Sequence, residues 1–171
     1  MYKEAEQQKN GWKDFEEFYI EKKVEESSVI TSFYLKAKDG LPVPSYLPGQ
    51  YITIRTAIPG EEFLVNRQYR LSQAPGSDAF RISVKREADH DPRGKVSNFL
   101  CDQLHKGDTL GVSAPAGDFY LEKESKPVAF IAGGVGVTPM MAVLESNRRL
   151  IFLQCSTAPF FHPFCHNRKC K

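Results

Sequence analysis

The chain has 171 residues, of which 41% are hydrophobic, and its formal net charge is +2. This length predicts one full domain and a remainder that is only part of a second. The near-neutral charge argues against a nucleic-acid binder, and no apolar run reaches the roughly 18 residues of a membrane span. Since the polar start lacks the apolar core of a signal peptide, we expect a soluble cytoplasmic protein.

The first ten residues are typical of the end of a helix, with Met1 and Ala5 on one face and Asn10-Gly11 as a stop signal. A helix this short is not stable alone. We interpret residues 1–12 as a linker or as the end of a domain that is missing from this chain.

Six short runs rich in β-branched and aromatic residues follow, with Pro-Gly and Asp-Gly turn signals between them. They cover residues 18–20, 28–35, 50–56, 68–72, 80–85 and 109–113. This spacing predicts an antiparallel barrel or sandwich. One helix interrupts the pattern, because Val96, Phe99, Leu100 and Leu104 share a face at helical spacing.

From residue 126 the pattern changes to strand, glycine turn and helix, which is an α/β signature. Residues 128–132 predict a buried strand, Thr138 a helix N-cap, and Pro139 the first helical position. Three glycines between them would let backbone N–H groups approach a bulky anion. The turn is therefore either a phosphate-binding loop or, as the alternative, a plain connection between strand and helix. Residues 149–155 suggest a further strand.

The last sixteen residues, 156–171, have neither helical nor strand periodicity. His162, Cys165, His166 and Cys170 match no tight zinc knuckle, so we expect no metal site and interpret the tail as irregular. Because the fourth cysteine, Cys101, stands alone, no disulfide framework is indicated.

Three groups in the barrel region suggest a binding site. Arg67 and Tyr69 alternate along a strand and face the same side, where an Arg fork suits a phosphate and a Tyr face suits a flat ring. The alternative is a solvated Arg beside a core Tyr. The segment from Gly94 to Ser97 is either a diphosphate-binding helix start or an ordinary one. Tyr51 either stacks on a ligand or fills the barrel.

In combination these motifs resemble the ferredoxin-reductase-like flavoprotein family. Within it, the segments RQYRLS, KGDTLGVSAPAGDF and FIAGGVGVTPMMAVLES look like the reductase part of flavohaemoglobins, the nitric oxide dioxygenases. The resemblance covers residues 1–148, and residues 2–5 with Gly11-Trp12 look like the junction after a final globin helix.

The resemblance implies a β plus α/β fold. An antiparallel Greek-key β-barrel that binds FAD would span residues 13–122, and an incomplete Rossmann-like domain for NAD(P)H would span residues 123–155. Electrons would pass from NAD(P)H through FAD to a haem in the missing globin domain, for nitric oxide detoxification. We expect a monomer with this haem-globin domain as its partner, without nucleic acid or membrane.

The resemblance also implies roles for residues. The FAD contacts would be Tyr51, Arg67, Gln68, Tyr69, Arg70, Gly94, Lys95, Val96 and Ser97. The NAD(P)H contacts would be Gly133, Gly134, Val135, Gly136, Val137 and Thr138. Tyr69 would contact the isoalloxazine, Thr138 would lie near the hydride path, and Lys85 would line the electron exit toward the haem.

The chain departs from the family in three places, of which one is the absence of the globin domain with its haem ligands. Arg70 stands where the family has a Ser or Thr that hydrogen-bonds the flavin, so either hydride transfer is slower or Arg70 points to solvent. The α/β part ends after one strand–helix unit, which we interpret as a truncated or frame-shifted product. Alternative functions are a stand-alone NAD(P)H-dependent reductase and an inactive FAD-binding fragment.

Overall fold

The computed structural model describes residues 11–87, 94–121 and 130–146. Within them, six strands form one antiparallel sheet in the order β4-β3-β6-β1-β2-β5. The strands are β1 Glu16–Glu25, β2 Ile30–Ala37, β3 Tyr51–Thr56, β4 Val65–Arg70, β5 Phe80–Lys85 and β6 Thr109–Val112. Each of the six predicted runs contributes one of them.

The two edge strands of this sheet meet just beyond the end of β4. Leu71 bridges Ile82, and the Ser72 N–H donates to the Arg81 carbonyl at 2.9 Å. This pairing closes the sheet, because β4 and β5 are the outer members of the strand order. The predicted Greek-key barrel is therefore confirmed.

Apolar side chains on alternate strand positions fill the barrel. On β3, Ile52 and Ile54 are fully buried, whereas Tyr51 lies on the outer face. The Phe18 and Phe80 rings stack inside with their centroids 5.7 Å apart. Burial of such side chains supplies the main favourable free energy of folding.

Helix α1, Lys95–Gln103, covers part of the barrel, with Val96 and Leu100 buried against the core. Phe99 and Leu104 also pack there, as the helical spacing predicts. The Lys23 ammonium group of β1 donates to the carbonyls of Cys101 (2.6 Å) and Leu104 (2.8 Å).

The α/β part differs from the prediction in two respects. Residues 130–132 form no strand, and Ile131 is 92% exposed. A parallel strand is stable only with neighbours that cover its faces, and no described strand pairs with this segment. The glycine turn instead forms a 3₁₀ turn, Gly134–Val137, that continues directly into helix α2, Thr138–Ser146.

The predicted N-cap is also wrong. Thr138 has helical dihedrals (φ −54°, ψ −48°), and its hydroxyl donates to the Val135 carbonyl at 3.0 Å. An N-cap residue would be non-helical and would accept from the backbone. The 3₁₀ turn runs directly into α2, so Thr138 lies inside a continuous helical segment and cannot adopt the extended conformation of an N-cap.

The predicted N-terminal helix end, the strand at 149–155 and the tail lie outside the described residues, as do positions 128 and 129 of the predicted buried strand. Among the described helices, none is long and apolar enough to cross a membrane.

Candidate functional site

A cleft of about 570 Å³ opens between the barrel and the glycine turn. It brings together eight of the residues singled out in the sequence: Gln68, Tyr69, Arg70, Lys85, Ser97, Val135, Gly136 and Thr138. Five further lining residues were not predicted: Ser83, Glu87, Phe119, Pro139 and Met140. The tertiary structure thus joins five segments that are separated in the sequence.

Tyr69 forms one wall of this cleft, which we call the Tyr69 cleft. It lies opposite Ile52 in the β3–β4 pair, and its half-buried ring also packs against the barrel core. Burial raises the pKa of the Tyr69 phenol above its ordinary value. The residue therefore stays neutral and offers an aromatic surface to a flat ligand.

Arg70 does not point to solvent, which was one of the two alternatives for this position. Its guanidinium donates to the Gly49 carbonyl at 2.5 Å and lies 5.0 Å from the centre of the Phe119 ring. The Tyr51 ring, on the facing strand position, is 5.8 Å away. Tyr51 therefore flanks Arg70 on the outside of the barrel and does not fill its interior.

The N-terminus of α1 presents Ser97 to the cleft. Gly94 occupies the N-cap and makes no side-chain cap hydrogen bond to the first helical N–H groups. A Cβ at Gly94 would lie 2.6 Å from the Ser97 Oγ and 2.8 Å from the Glu87 Cβ, which is closer than real Cβ contacts. This crowding explains why the position requires glycine although its φ is −64°.

Lys85 and Glu87 lie side by side on the rim. Their ammonium and carboxylate groups form an ion pair at 3.0 Å. The Glu87 carbonyl also accepts from the Gly94 N–H at 2.9 Å, so this segment supports the helix start. Residues two apart share a face of a strand, so the spacing from Lys85 could have predicted Glu87 as a further lining residue.

The glycine turn forms the opposite wall through Val135, Gly136 and Thr138. Gly134 has φ +54°, a left-handed conformation that favours glycine. Gly133 and Gly134 do not line the cleft, and Val137 is buried beneath it.

Two predicted residues lie in a separate groove of about 730 Å³, which Arg67 and Tyr51 line together with Trp12 and Arg55. Arg67 is exposed, and its Nη1 donates to the Asn66 carbonyl at 2.8 Å. Gln68 borders both this groove and the Tyr69 cleft.

The remaining predicted contacts on α1 do not line the Tyr69 cleft. Lys95 pairs with the Glu61 carboxylate, and Val96 is buried. Only Ser97 of this group reaches the cleft with its side chain.

Residues 17–120 match the family described as the oxidoreductase FAD-binding domain. A flavohemoprotein of Bacillus thuringiensis subsp. konkukian (strain 97-27) is 53% identical over 164 residues, which are 91% of this chain and 41% of that protein. This chain therefore spans less than half the length of that curated relative.

Two solved structures share the fold. The flavohem-like FAD/NAD binding domain of a Vibrio cholerae nitric oxide dioxygenase has 42% identity and a TM-score of 0.74, over 78% of this chain and 56% of that one. A flavohemoglobin from Malassezia yamatoensis with bound FAD and heme has 27% identity and a TM-score of 0.70, over 84% of this chain and 36% of that one.

Proposed function

This chain belongs to the oxidoreductase FAD-binding domain family, and from that premise we propose that it is the FAD-binding reductase part of a flavohaemoglobin-type nitric oxide dioxygenase. The resemblance to flavohaemoglobins is confirmed by the identity to flavohemoproteins and by the shared fold. One observation carries the proposal: the barrel closes so that Tyr69, Ser97 and the glycine turn border one cleft.

The residues of the cleft fit a flavin. A volume of about 570 Å³ lies within the range of small-molecule sites. The neutral Tyr69 ring offers a face for stacking, and Ser97 offers a hydroxyl at the N-terminus of a helix whose N-cap is glycine. A Cβ at Gly94 would collide with Ser97 and Glu87, which both line the cleft.

When bound, FAD supplies a group that accepts hydride from NAD(P)H and releases single electrons to a haem. The chain orients it. Tyr69 would pack against the flat ring, with Gln68 and Arg70 lining the same cleft, and Ser97 with the α1 N-terminus would hold the diphosphate. Arg67 lies in the neighbouring groove, which Gln68 also borders, and from there its guanidinium would contact the diphosphate.

The glycine turn would admit the nicotinamide from the opposite wall. Thr138 lines that wall, and its hydroxyl is held by the Val135 carbonyl. Lys85 and Glu87, which form an ion pair and line the cleft, would border the path of electrons from the flavin to an acceptor. We propose that this acceptor is a haem-globin domain, that the chain is monomeric, and that it works in the cytoplasm.

The test is the visible spectrum of the purified chain after incubation with FAD, followed by anaerobic addition of NADH or NADPH. We expect a bound flavin whose colour bleaches with the nicotinamide. Flavin that binds without bleaching would overturn the role of the glycine turn. The absence of binding would overturn the flavin site itself.

A matched pair of variants tests the location of the site. Tyr69→Ala removes the stacking face, and we expect FAD affinity to fall about tenfold. Gln103→Ala, at the exposed far end of α1, should leave FAD affinity unchanged. Equal affinities of both variants would place the flavin elsewhere.

A further inference from the structure

One ion pair, with a buried arginine and an exposed glutamate, joins the helix after the glycine turn to the barrel. Arg81 of β5 is only 8% exposed, and its Nη2 donates to the Glu145 carboxylate of α2 at 3.2 Å. The same guanidinium donates through Nε to the Ser72 hydroxyl at 3.1 Å and through Nη2 to the Ser72 carbonyl. Arg81 thus bonds to α2 and also to Ser72, two residues after the end of β4.

Glu145 is itself held at two points. Its Oε1 accepts from Arg81, and its Oε2 accepts from the Ala74 N–H at 2.9 Å. A carboxylate with both oxygens engaged by fixed donors has one position, because charge-assisted hydrogen bonds are directional. The buried residues of α2 are the apolar Pro139, Ala142 and Val143.

The apolar contacts and the ion pair constrain α2 in different ways. Apolar burial is non-directional and tolerates sliding or rotation of a helix on its support. The ion pair fixes the helix at its C-terminal end, and Thr138 stands at the other end of the same nine-residue helix. A helix is rigid over this length, so the placement of Glu145 determines where the glycine turn lies.

The pair also connects to the floor of the cleft. Ser83 lines the Tyr69 cleft, and its hydroxyl donates to the Ser72 Oγ at 3.0 Å. Ser72 is the residue that Arg81 holds. One guanidinium therefore ties the floor of the cleft to the helix that carries the opposite wall.

We propose that Arg81 and Glu145 are positioning residues that set the glycine turn against Tyr69 and so determine the width of the cleft. The inference rests on the proposed function for the identity of the ligand, but the ion pair itself can be tested without any ligand.

The first experiment is hydrogen exchange of the ligand-free full chain, comparing wild type with Glu145→Gln. This near-isosteric change removes the charge and weakens both contacts. We expect amides of residues 134–146 to exchange about tenfold faster, with β5 unchanged. Glu17→Gln, which breaks an exposed ion pair with Lys38, is the matched control and should leave residues 134–146 unchanged.

Unchanged exchange in Glu145→Gln would overturn the proposal, as would equal acceleration throughout the barrel. Arg81→Lys gives a second variant that keeps the charge but loses the fork geometry. If the two residues act as one unit, the double variant accelerates exchange no more than either single variant. Additive effects would contradict a coupled pair.

A spectroscopic measurement then reports the width of the cleft. We expect iodide to quench the fluorescence of bound FAD several-fold more efficiently in Glu145→Gln than in wild type or Glu17→Gln. Equal quenching would mean that the ion pair only stabilises the fold and does not position the wall. If wild type binds no FAD, the flavin assignment fails while the exchange result still decides whether the pair holds the turn.

Discussion

The Gly94 position shows how one missing Cβ can shape a binding site. Its φ of −64° is open to any residue, so backbone strain does not require glycine here. Crowding does, since a Cβ would lie 2.8 Å from the Glu87 Cβ and 2.6 Å from the Ser97 Oγ. The Ser97 hydroxyl can rotate away. The Glu87 Cβ cannot, because it is bonded directly to a backbone whose carbonyl accepts from the Gly94 N–H.

We therefore predict that Gly94→Ala displaces Ser97 and the start of α1. Overpacking of this kind costs about 1–3 kcal/mol, and we expect FAD affinity to fall by about tenfold or more. Titration of the variant with FAD measures the loss. Gln103→Ala, an exposed substitution in the same helix, is the control, and equal affinity in Gly94→Ala and wild type would contradict the prediction.

Helix α1 depends on a lysine that belongs to another element. The helix carries no basic residue in its last turn. Lys23 of β1 supplies the missing cation, with its ammonium 2.6 Å from the Cys101 carbonyl and 2.8 Å from the Leu104 carbonyl. Unpaired carbonyls at a helix C-terminus attract positive charge through the helix dipole.

Replacing this lysine should loosen the helix on the barrel. We expect Lys23→Met to lower the free energy of unfolding by about 1–2 kcal/mol, since it removes two charge-assisted hydrogen bonds at a half-buried site. Urea denaturation followed by circular dichroism measures the change. Lys22→Met, on the adjacent position, removes the contact of an exposed ammonium group with the Tyr34 ring and should cost less than half as much.

At the scale of the whole molecule, two buried tyrosines link stability to alkaline pH. Burial raises the pKa of both Tyr46 and Tyr69 above the ordinary tyrosine value. Above a pH of about 10 the unfolded chain releases these phenolic protons while the folded chain keeps them. The folded state then binds more protons, so its stability must fall as pH rises.

We expect the free energy of unfolding to decrease by about 1.4 kcal/mol per pH unit for each of the two tyrosines once the pH exceeds about 10. Urea denaturation at a series of alkaline pH values measures the slope. Tyr46→Phe should reduce that slope, although it also loses the hydrogen bond to the Gln73 carbonyl. A wild-type stability that stays constant over this range would disprove the linkage.

Local patterns carried most of the information about the barrel. Alternation of apolar and polar residues reflects the two faces of a strand, so residues 80–85 could be predicted to the residue as β5. The helical spacing from Val96 to Leu104 likewise placed the buried face of α1. Such patterns arise within a few residues and need no knowledge of distant contacts.

The sequence alone therefore determined the six strands, the interrupting helix and the residue types of the cleft. Tertiary structure decided which of these residues meet, because barrel closure at Leu71 and Ile82 joins segments that no local pattern relates. It placed Arg67 and Tyr69 in different pockets, turned Arg70 toward Gly49, and left residues 130–132 of the predicted strand without strand structure. It also formed the Arg81–Glu145 pair across 64 residues, since the partner of a charge depends on packing in three dimensions.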